Sequence, residues 1–375
     1  MLTDPGHTFA ELAELVPGAR LLGDPNRRVE RLVHPTEVKG ASDLVLLLGK
    51  PYLEMGAALP GEKPGIVVGE ELATEAGDLL GKFPAVLVIE RPRLALAYLT
   101  PLFPRTPRRE ASIHPSAVVA ESATLGKGCH VGPLCYVGAG VVLGKGCILE
   151  SQATVEEHAA LGDDCLLRAG ARVADHVRIG HRVILNQNCV VGSDGFSFVT
   201  REANAAEDAK AGRHQTTAGT VQGMLRIDSL GTVVLEDDVE VGASTTVDRA
   251  TLGATLIRRG TKLDNQVQIG HNNEIGTDGL FCAHVGIAGS GKIGDRAVFA
   301  GQSGMGDHLT VGDDAVIMGR GGVVTNLEGG AVYAGMPAEP ATAALRGYAN
   351  IRKISDLRRE IKKIRKQLDA NAENS

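Results

Sequence analysis

The chain has 375 residues, of which 48 are glycine and none is tryptophan, and aromatic residues make up 3% of it. Its formal net charge of −6 argues against the general affinity for nucleic acid that a basic surface confers. This length predicts two or three structural units. The N-terminus lacks the pattern of a secretory signal, and no apolar run reaches the ~18 residues of a membrane span. We therefore expect a cytoplasmic protein.

The first structural unit is predicted at residues 1–105, where no repeat is visible. FAELAELV has the apolar spacing of a helix, and LVLLLG and GIVVG are typical of short buried strands. AVLVIERPRLALAYLTPLF predicts a strand that leads into a helix, which makes this unit a small α/β domain. The Pro- and Arg-rich segment PLFPRTPRR marks its boundary with the next unit.

A six-residue repeat begins at Ile113 and runs thirteen times to Val190. All its first positions are Ile, Val or Leu, and all its fifth positions are Ala, Cys or Val. Six is the period of neither an α-helix nor an alternating strand. It is typical of a solenoid of short parallel strands with three flat faces and ~18 residues per coil, in which each coil buries its apolar edge on the next. Residues 111–340 are therefore predicted to form a parallel β-helix.

The repeat breaks after Val191 and resumes from Leu235 to Val323, with one skip near Gly253. Residues 193–232 are therefore predicted to leave the solenoid as a long loop, and such a loop is usually either functional or disordered.

Five of the six cysteines are separated by multiples of six residues and fall on the fifth position of the repeat. This phase predicts small buried side chains rather than disulfides or zinc ligands. The five are Cys129, Cys135, Cys147, Cys165 and Cys189, whereas Cys282 lies outside the phase.

The C-terminal segment, residues 341–375, is predicted to contain a basic amphipathic helix over 341–369. Its apolar residues are three or four positions apart, close to a coiled-coil repeat: Leu345, Tyr348, Ile351, Ile354, Leu357, Ile361, Ile364 and Leu368. Nine Arg or Lys residues lie between Arg346 and Lys366. Two interpretations stay open together: the apolar stripe packs on the solenoid or on sister subunits, and the basic face docks an acidic partner.

Histidine is the side chain best suited to exchange a proton near neutral pH. Most of the eleven histidines occupy single variable positions, where a surface role is the better interpretation. His271 and His308 are about two coils apart, so they are predicted to lie near one edge, ~10 Å from each other. Gly289 follows His271 by one coil, and its missing side chain would let a ligand reach the backbone N–H, as an oxyanion donor requires. No third histidine has the phase of a zinc site, so no metal is expected.

Several segments are much more specific than the hexads. They are GSDGFSF (192–198), EVGASTTVDRATL (240–252), LDNQVQIGHNNEIG (263–276), IAGSGKIG (287–294) and GMPAEP (335–340). On these residues the chain is similar to the UDP-3-O-acylglucosamine N-acyltransferases of lipid A biosynthesis, which are hexapeptide-repeat enzymes with a left-handed β-helix.

The resemblance implies transfer of a (3R)-3-hydroxyacyl chain from acyl carrier protein to the 2-amino group of UDP-3-O-(3-hydroxyacyl)-glucosamine. It implies that His271 is the general base, that the N–H of Gly289 stabilises the oxyanion and that His308 assists. It also implies a homotrimer and an acidic carrier protein as the partner of the basic helix. No metal or redox cofactor is expected, because the acyl donor is a phosphopantetheine thioester that is already activated.

Substrate-binding residues are implied in two places, at Asp264 and Asn265 and at Tyr52. The family stacks uracil in an N-terminal segment resembling FxxNPKY, and residues 46–52 read LLLGKPY here. Tyr52 is kept, but Leu46 stands at the Phe position and Gly49 at the Asn position, so the unit is uridine-binding-like.

Two other functions stay open. One is a hexapeptide acyltransferase that acts on another nucleotide-amino-sugar, with acyl-CoA as a candidate donor. The other is a non-catalytic structural or binding solenoid, which would leave no reason for specific segments to cluster around one edge.

Overall fold

The computed structural model describes residues 6–58, 61–103, 109–201, 212, 223–334 and 341–373. The chain divides into two compact units, Met1–Arg108 and Arg109–Ser375. Three segments of the sequence analysis lie partly or wholly outside the described residues: GMPAEP, the middle of loop 193–232, and most of the boundary after residue 103.

The N-terminal unit is built on a five-stranded sheet of order β2-β7-β6-β5-β4. Strands β4 to β7 are parallel, and β2 runs antiparallel at one edge. Apolar side chains cover both faces of the sheet, which explains why its central strands read as continuous apolar runs. The helix and strands predicted for this unit are confirmed. Its elements are β1 His7–Thr8, α1 Phe9–Leu15, β2 Arg20–Gly23, β3 Arg28–Val29, β4 Arg31–Val33, β5 Asp43–Leu47, α2 Lys50–Ala58, β6 Gly65–Gly69, α3 Glu70–Ala76, β7 Ala85–Ile89 and α4 Pro92–Leu99, with 3-10 turns at Pro35–Glu37, Gly77–Lys82 and Thr100–Leu102.

The second unit is a left-handed parallel β-helix whose described strands form three sheets. Each strand pairs in parallel with the strand one coil away, as in Val131↔Leu149, so the predicted coil length is confirmed. Sheet I contains β8 Ser112–Ile113, β11 His130–Val131, β14 Ile148–Leu149, β17 Leu166–Leu167, β20 Ile184–Leu185, β25 Glu240–Val241, β28 Lys262–Leu263, β31 Leu280–Phe281, β34 Val298–Phe299, β37 Val316–Ile317 and β39 Val332–Tyr333.

The other two faces of the solenoid have the same construction. Sheet II contains β9 Val118–Val119, β12 Tyr136–Val137, β15 Thr154–Val155, β18 Arg172–Val173, β21 Val190–Ser193, β26 Thr246–Asp248, β29 Gln268–Ile269, β32 Gly286–Ile287, β35 Gly304–Met305 and β38 Gly322–Val323. Sheet III contains β10 Thr124–Leu125, β13 Val142–Leu143, β16 Ala160–Leu161, β19 Arg178–Ile179, β24 Thr232–Leu235, β27 Ala254–Ile257, β30 Glu274–Ile275, β33 Lys292–Ile293 and β36 Thr310–Val311.

The first, fourth and fifth positions of the hexad have distinct structural roles. The first position points into the core, where the aliphatic side chains stack from coil to coil. The fourth position lies in the left-handed region, for example φ 59° at Asn272 and φ 58° at His308. The fifth position is buried at the turn, and several of its side chains donate to a carbonyl of the next coil, as Cys147 Sγ does to Gly162 O at 3.1 Å. The hexad cysteines are therefore buried as predicted, and this one also donates a hydrogen bond.

The long loop leaves the solenoid after β21 and returns at β24, which pairs with β19 across the insertion. Its two described ends form a small antiparallel hairpin of β22 Phe198–Val199 and β23 Leu225–Arg226. The loop is therefore anchored at its base by strand pairing.

The C-terminal helix, α5, spans Ala341–Glu373, four residues beyond the predicted end. From Ile351 to Lys366 every side chain is exposed within the chain. None of the helices in the described part of the chain combines the length and apolarity that a membrane crossing requires.

Candidate active site

His271 lies at the corner between sheets II and III, in the turn from β29 to β30. It is half-buried, and it precedes Asn272, whose left-handed backbone (φ 59°) makes the turn. Asn tolerates this conformation better than most residues with a side chain. The turn therefore presents the imidazole on the outside of the solenoid.

The hydrogen bonds around Asn272 determine which nitrogen of His271 carries the proton. Asn272 Oδ1 accepts from the backbone N–H of Thr251 at 3.0 Å, and its Nδ2 donates to Leu252 O at 2.9 Å. His271 Nδ1 lies 3.0 Å from the same Oδ1, which can only accept. Nδ1 therefore carries the hydrogen in the neutral ring, and the lone pair is on Nε2.

Two glycines make room for the imidazole. A Cβ atom on Gly289, in the next coil, would lie 2.8 Å from both Cε1 and Nε2 of His271. A Cβ atom on Gly195, at the start of the long loop, would lie 2.8 Å from Cβ of His271. Both distances are shorter than real contacts, so the ring can stand here only because both neighbours lack a side chain.

A cleft of about 550 Å³ opens beside His271. Its lining combines the solenoid corner with the base of the long loop: Asp194, Gly195, Phe196, Phe198, Arg226, Asp248, Gln268, Gly270, His271, Ile287, Ala288 and Gly289. A larger cleft of about 610 Å³ along sheet III contains neither histidine nor cysteine in its lining. The cleft beside His271 is therefore the candidate active site, although it is not the largest.

The wall that the loop contributes is aromatic and exposed. The rings of Phe196 and Phe198 meet edge to face with centroids 5.0 Å apart, and Phe196 is 85% exposed. The guanidinium of Arg226 lies 5.9 Å from the centroid of Phe198 and pairs with Asp194 at 2.5 Å. The loop ends thus form an apolar surface whose charged groups neutralise each other.

The floor of the cleft contains a buried carboxyl group. Asp248 is 8% exposed and accepts hydrogen bonds from Ser193 Oγ at 2.7 Å and from Gln268 Nε2 at 3.0 Å. Burial raises the pKa of this carboxyl, while the two hydrogen bonds and the charge of a protonated His271 oppose the shift. His271 and Asp248 therefore interact electrostatically within one cleft.

The predicted site residues are brought together only in part. His271 and Gly289 meet in the cleft, whereas His308 is exposed and is absent from its lining. His308 occupies a left-handed fourth position, one residue beyond the place in register with Gly289, and its backbone N–H donates to Gly289 O at 3.1 Å. Among the described residues, His308 thus contacts the site through its backbone.

Asp264 and Asn265 lie at a different corner, between sheets I and II, and line a separate cleft of about 420 Å³ that also includes Cys282. Asn265 Oδ1 accepts from the backbone N–H of Ala243 at 2.7 Å. Within one chain these two residues do not belong to the cleft of His271.

Tyr52 belongs to the N-terminal unit, where it lies in the first turn of α2. Its side chain is 40% exposed, and its ring meets that of His34 edge to face at 6.0 Å. Leu46 is 9% exposed in β5, so the residue at the family's Phe position is part of the sheet core.

Sequence reasoning missed Asp248, Gln268 and the loop residues of the wall as site residues. Asp248 and Gln268 lie inside the specific segments of the sequence, but the six-residue period does not show that their side chains are in contact. The sequence signal for Asp248 was an acidic residue at the end of a strand, shortly before the skip at Gly253. In the described part of the chain, no three His, Cys, Asp or Glu side chains are grouped so that they could hold a metal ion.

Comparison with known proteins identifies relatives along most of the chain. Residues 122–157 match the family described as bacterial transferase hexapeptide (six repeats). The chain is 38% identical over 371 residues to a UDP-3-O-acylglucosamine N-acyltransferase of Pseudomonas aeruginosa, covering 99% of this chain and 97% of the relative. It is 45% identical over 351 residues to that of Parasynechococcus marenigrum, covering 92% and 95%. It is 48% identical over 285 residues to that of Paracoccus denitrificans, covering 76% and 75%. At these identities and coverages, the chain belongs to the UDP-3-O-acylglucosamine N-acyltransferase family.

Proposed function

We propose that this protein transfers a (3R)-3-hydroxyacyl chain from acyl carrier protein to the 2-amino group of UDP-3-O-(3-hydroxyacyl)-glucosamine, in the cytoplasm, as a step of lipid A biosynthesis. The observation that carries the proposal is the environment of His271, whose unprotonated Nε2 lies against Gly289 in a cleft large enough for substrate. This arrangement suits a general base that acts on an amine.

The proton transfers follow from this tautomer. The amine nitrogen attacks the thioester carbonyl carbon, and His271 Nε2 takes a proton from that nitrogen as the C–N bond forms. Asn272 Oδ1 accepts from Nδ1–H at 3.0 Å and so stabilises the resulting imidazolium. When the C–S bond breaks, the imidazolium returns the proton to the departing thiolate. The base is thereby regenerated without a metal or redox cofactor.

Gly289 supports the carbonyl that is attacked. In the tetrahedral intermediate the carbonyl oxygen becomes an oxyanion, and a backbone N–H next to the base can stabilise it. Because a Cβ on Gly289 would collide with the imidazole, the absence of a side chain here serves both the ring and the approach of substrate.

The donor is proposed to dock on α5. Nine basic side chains occur along its exposed length: Arg346, Arg352, Lys353, Arg358, Arg359, Lys362, Lys363, Arg365 and Lys366. Only Asp356 and Glu360 are acidic between the first and last of these. An acidic carrier protein would be attracted to this helix, with an affinity that falls as salt increases. The uridine is assigned to the N-terminal unit, near Tyr52.

The proposed assembly is a homotrimer. Ile351, Ile354, Leu357, Ile361 and Ile364 form a stripe on α5 and are 53–63% exposed within one chain. Spacings of three and four residues are those of a coiled-coil seam, so sister copies of the same helix would bury them.

The function is tested with purified protein, the acylated UDP-glucosamine and a hydroxyacyl carrier protein. Wild type is expected to turn over, and His271→Ala is expected to lower kcat by about 10²–10⁴-fold through loss of the general base. His158→Ala, an exposed histidine of a distant coil, serves as the matched control. Undiminished activity of His271→Ala would contradict the mechanism.

A second candidate has one observation in its favour. With Leu46 buried in β5, the family's Phe ring is missing from the uracil site, so a different nucleotide-amino-sugar remains a competing acceptor. Turnover of such an acceptor, or of hydroxyacyl-CoA, in the absence of turnover with the substrates above would favour this candidate.

A further inference from the structure

Asp248 is a buried charged group that the mechanism above does not use. It ends β26, where the pairing with β21 shifts register between Val191 and Ser193. This irregularity brings Ser193 beside Asp248, and their side chains are joined at 2.7 Å. Gln268, on the adjacent strand β29, donates to the other carboxylate oxygen at 3.0 Å. Two neutral donors therefore hold the carboxyl group at the floor of the cleft, and no Lys or Arg among the described residues forms an ion pair with it.

The other charged side chains described around the cleft form ion pairs with each other or with a neighbour. Asp194 forms an ion pair with Arg226. Arg249, the residue after Asp248, directs its guanidinium to Asp175 at 2.7 Å and to Gly192 O at 2.7 Å. Among the residues lining the cleft, His271 is thus the base, and Asp248 is the carboxyl group without an ion pair. This pair matches the charge changes of an amine that binds as a cation, loses one proton and then attacks.

We propose that Asp248 binds the 2-amino group of the acceptor and orients it toward His271. The ammonium form would be attracted by the carboxylate, and after it gives one proton to solvent water a remaining N–H would donate to the carboxylate. The second N–H would then face Nε2 of His271, which directs the nitrogen lone pair to the thioester carbonyl. The same carboxylate stabilises the imidazolium across the cleft. A hydroxyl acceptor carries no such charge and only one hydrogen, so Asp248 also selects an amine acceptor. This inference rests on the proposed function.

The test uses Asp248→Asn in the full-length protein, because this change removes the charge and keeps the size of the side chain. We expect KM for the amine acceptor to rise about tenfold or more, with a smaller fall in kcat, because a charged group that binds the acceptor is lost. The ratio of amine to hydroxyl acylation should fall as well.

Two further variants separate this role from a structural one. Asp314→Asn removes a carboxylate that pairs with Arg296 at 2.7 Å on the exposed surface, and it should leave KM and the ratio of amine to hydroxyl acylation unchanged. Asp248→Glu keeps the charge at a displaced position, so it should restore part of the preference for the amine acceptor while KM stays raised. Binding of the acceptor to His271→Ala, with and without Asp248→Asn, measures the same contact without turnover.

The outcomes distinguish this inference from the proposed function. If wild type turns over and Asp248→Asn has the wild-type KM and the wild-type ratio of amine to hydroxyl acylation, the role of Asp248 is rejected while the function stands. If wild type itself does not acylate the amine acceptor, the proposed function fails first. If Asp248→Asn melts well below wild type, binding of the acceptor is measured on His271→Ala with and without Asp248→Glu. Equal acceptor affinity of these two proteins would reject the role of Asp248.

Discussion

At the scale of single residues, the candidate site depends on small side chains as much as on reactive ones. His271 stands between Gly195 and Gly289, and either glycine with a Cβ would collide with it at 2.8 Å. The base is therefore positioned by what its neighbours lack. Asn272 also determines which nitrogen of the imidazole carries the proton, since its Oδ1 accepts a hydrogen bond from Nδ1–H.

Gly289→Ala is predicted to lower kcat by about tenfold to a hundredfold, because the new methyl group displaces the imidazole and reduces its alignment with the amine. Steady-state kinetics and a thermal melt on the same preparation measure the effect. Gly286→Ala is the matched control, since a Cβ there meets no atom within 4 Å. Equal losses in the two variants would speak against a specific contact with His271.

The ion pair of Asp175 and Arg249 is predicted to make stability depend on acid pH. The Arg249 guanidinium lowers the pKa of Asp175 from its ordinary 3.8 to about 2. A lowered carboxyl pKa means that the stabilisation is complete above the unfolded pKa and is lost as pH falls toward the folded one. Asp175→Asn should therefore reduce the free energy of unfolding at pH 7, by about 1 kcal/mol, because Asp175 is 40% exposed and solvent screens the pair. Urea unfolding at pH 7 and near pH 2 should show that the difference shrinks in acid.

At the scale of elements, some turns of the solenoid are tied to the next by a polar side chain at the fifth position. In the coil of the candidate site this position is Asn273, which is fully buried. Its Nδ2 donates to Gly270 O at 2.6 Å and to Ala288 O at 2.8 Å, and its Oδ1 accepts from Gly291 N at 2.9 Å. One amide thus joins the turn of His271 to the turn of Gly289, where an Ala or Cys would make fewer bonds.

Asn273→Ala is predicted to destabilise the protein by about 2–4 kcal/mol, because buried carbonyl and N–H groups would lose their partner. We also expect kcat to fall, since the turns of His271 and Gly289 would be free to separate. Denaturant unfolding and kinetics measure the two effects. Asn326→Ala, which removes an exposed amide bonded to Thr310 N, should cost less than about 1 kcal/mol.

At the scale of the whole molecule, the apolar stripe of α5 has no cover within one chain, since its five described members are more than half exposed. Exposed apolar stripes at coiled-coil spacing favour association. The basic side chains of the same helix occupy other positions along it. Subunit assembly and carrier docking are therefore compatible on one element.

Replacing Ile354 and Ile361 together by Asp is predicted to weaken the proposed homotrimer, because both charges would be buried at the proposed seam. Light scattering across a dilution series should show three chains for wild type and dissociation at higher concentrations for the variant. Ser355→Asp with Lys362→Asp has the same spacing off the stripe and should keep the wild-type mass. An unchanged dissociation profile in the stripe variant would exclude α5 as part of the interface.

The sequence alone was sufficient for the solenoid, its coil length and the register of His271 with Gly289. Each depends on a local repeat, because a six-residue period places every sixth side chain on the same track whatever lies elsewhere. The buried hexad cysteines follow from the same rule, and the elements of the N-terminal unit follow from apolar patterning.

The tertiary structure decided what the period leaves open. His308 is one residue out of register with Gly289 and occupies a left-handed turn position. Its side chain is therefore exposed and lies outside the cleft. Asp264 and Asn265 are close to His271 along the chain, yet the triangular cross-section places them at another corner. The loop wall and the contact of Ser193 with Asp248 depend on where an insertion leaves and rejoins the coils. A repeat specifies position along its own axis, whereas groups from different coils and from an insertion meet only once the chain has folded.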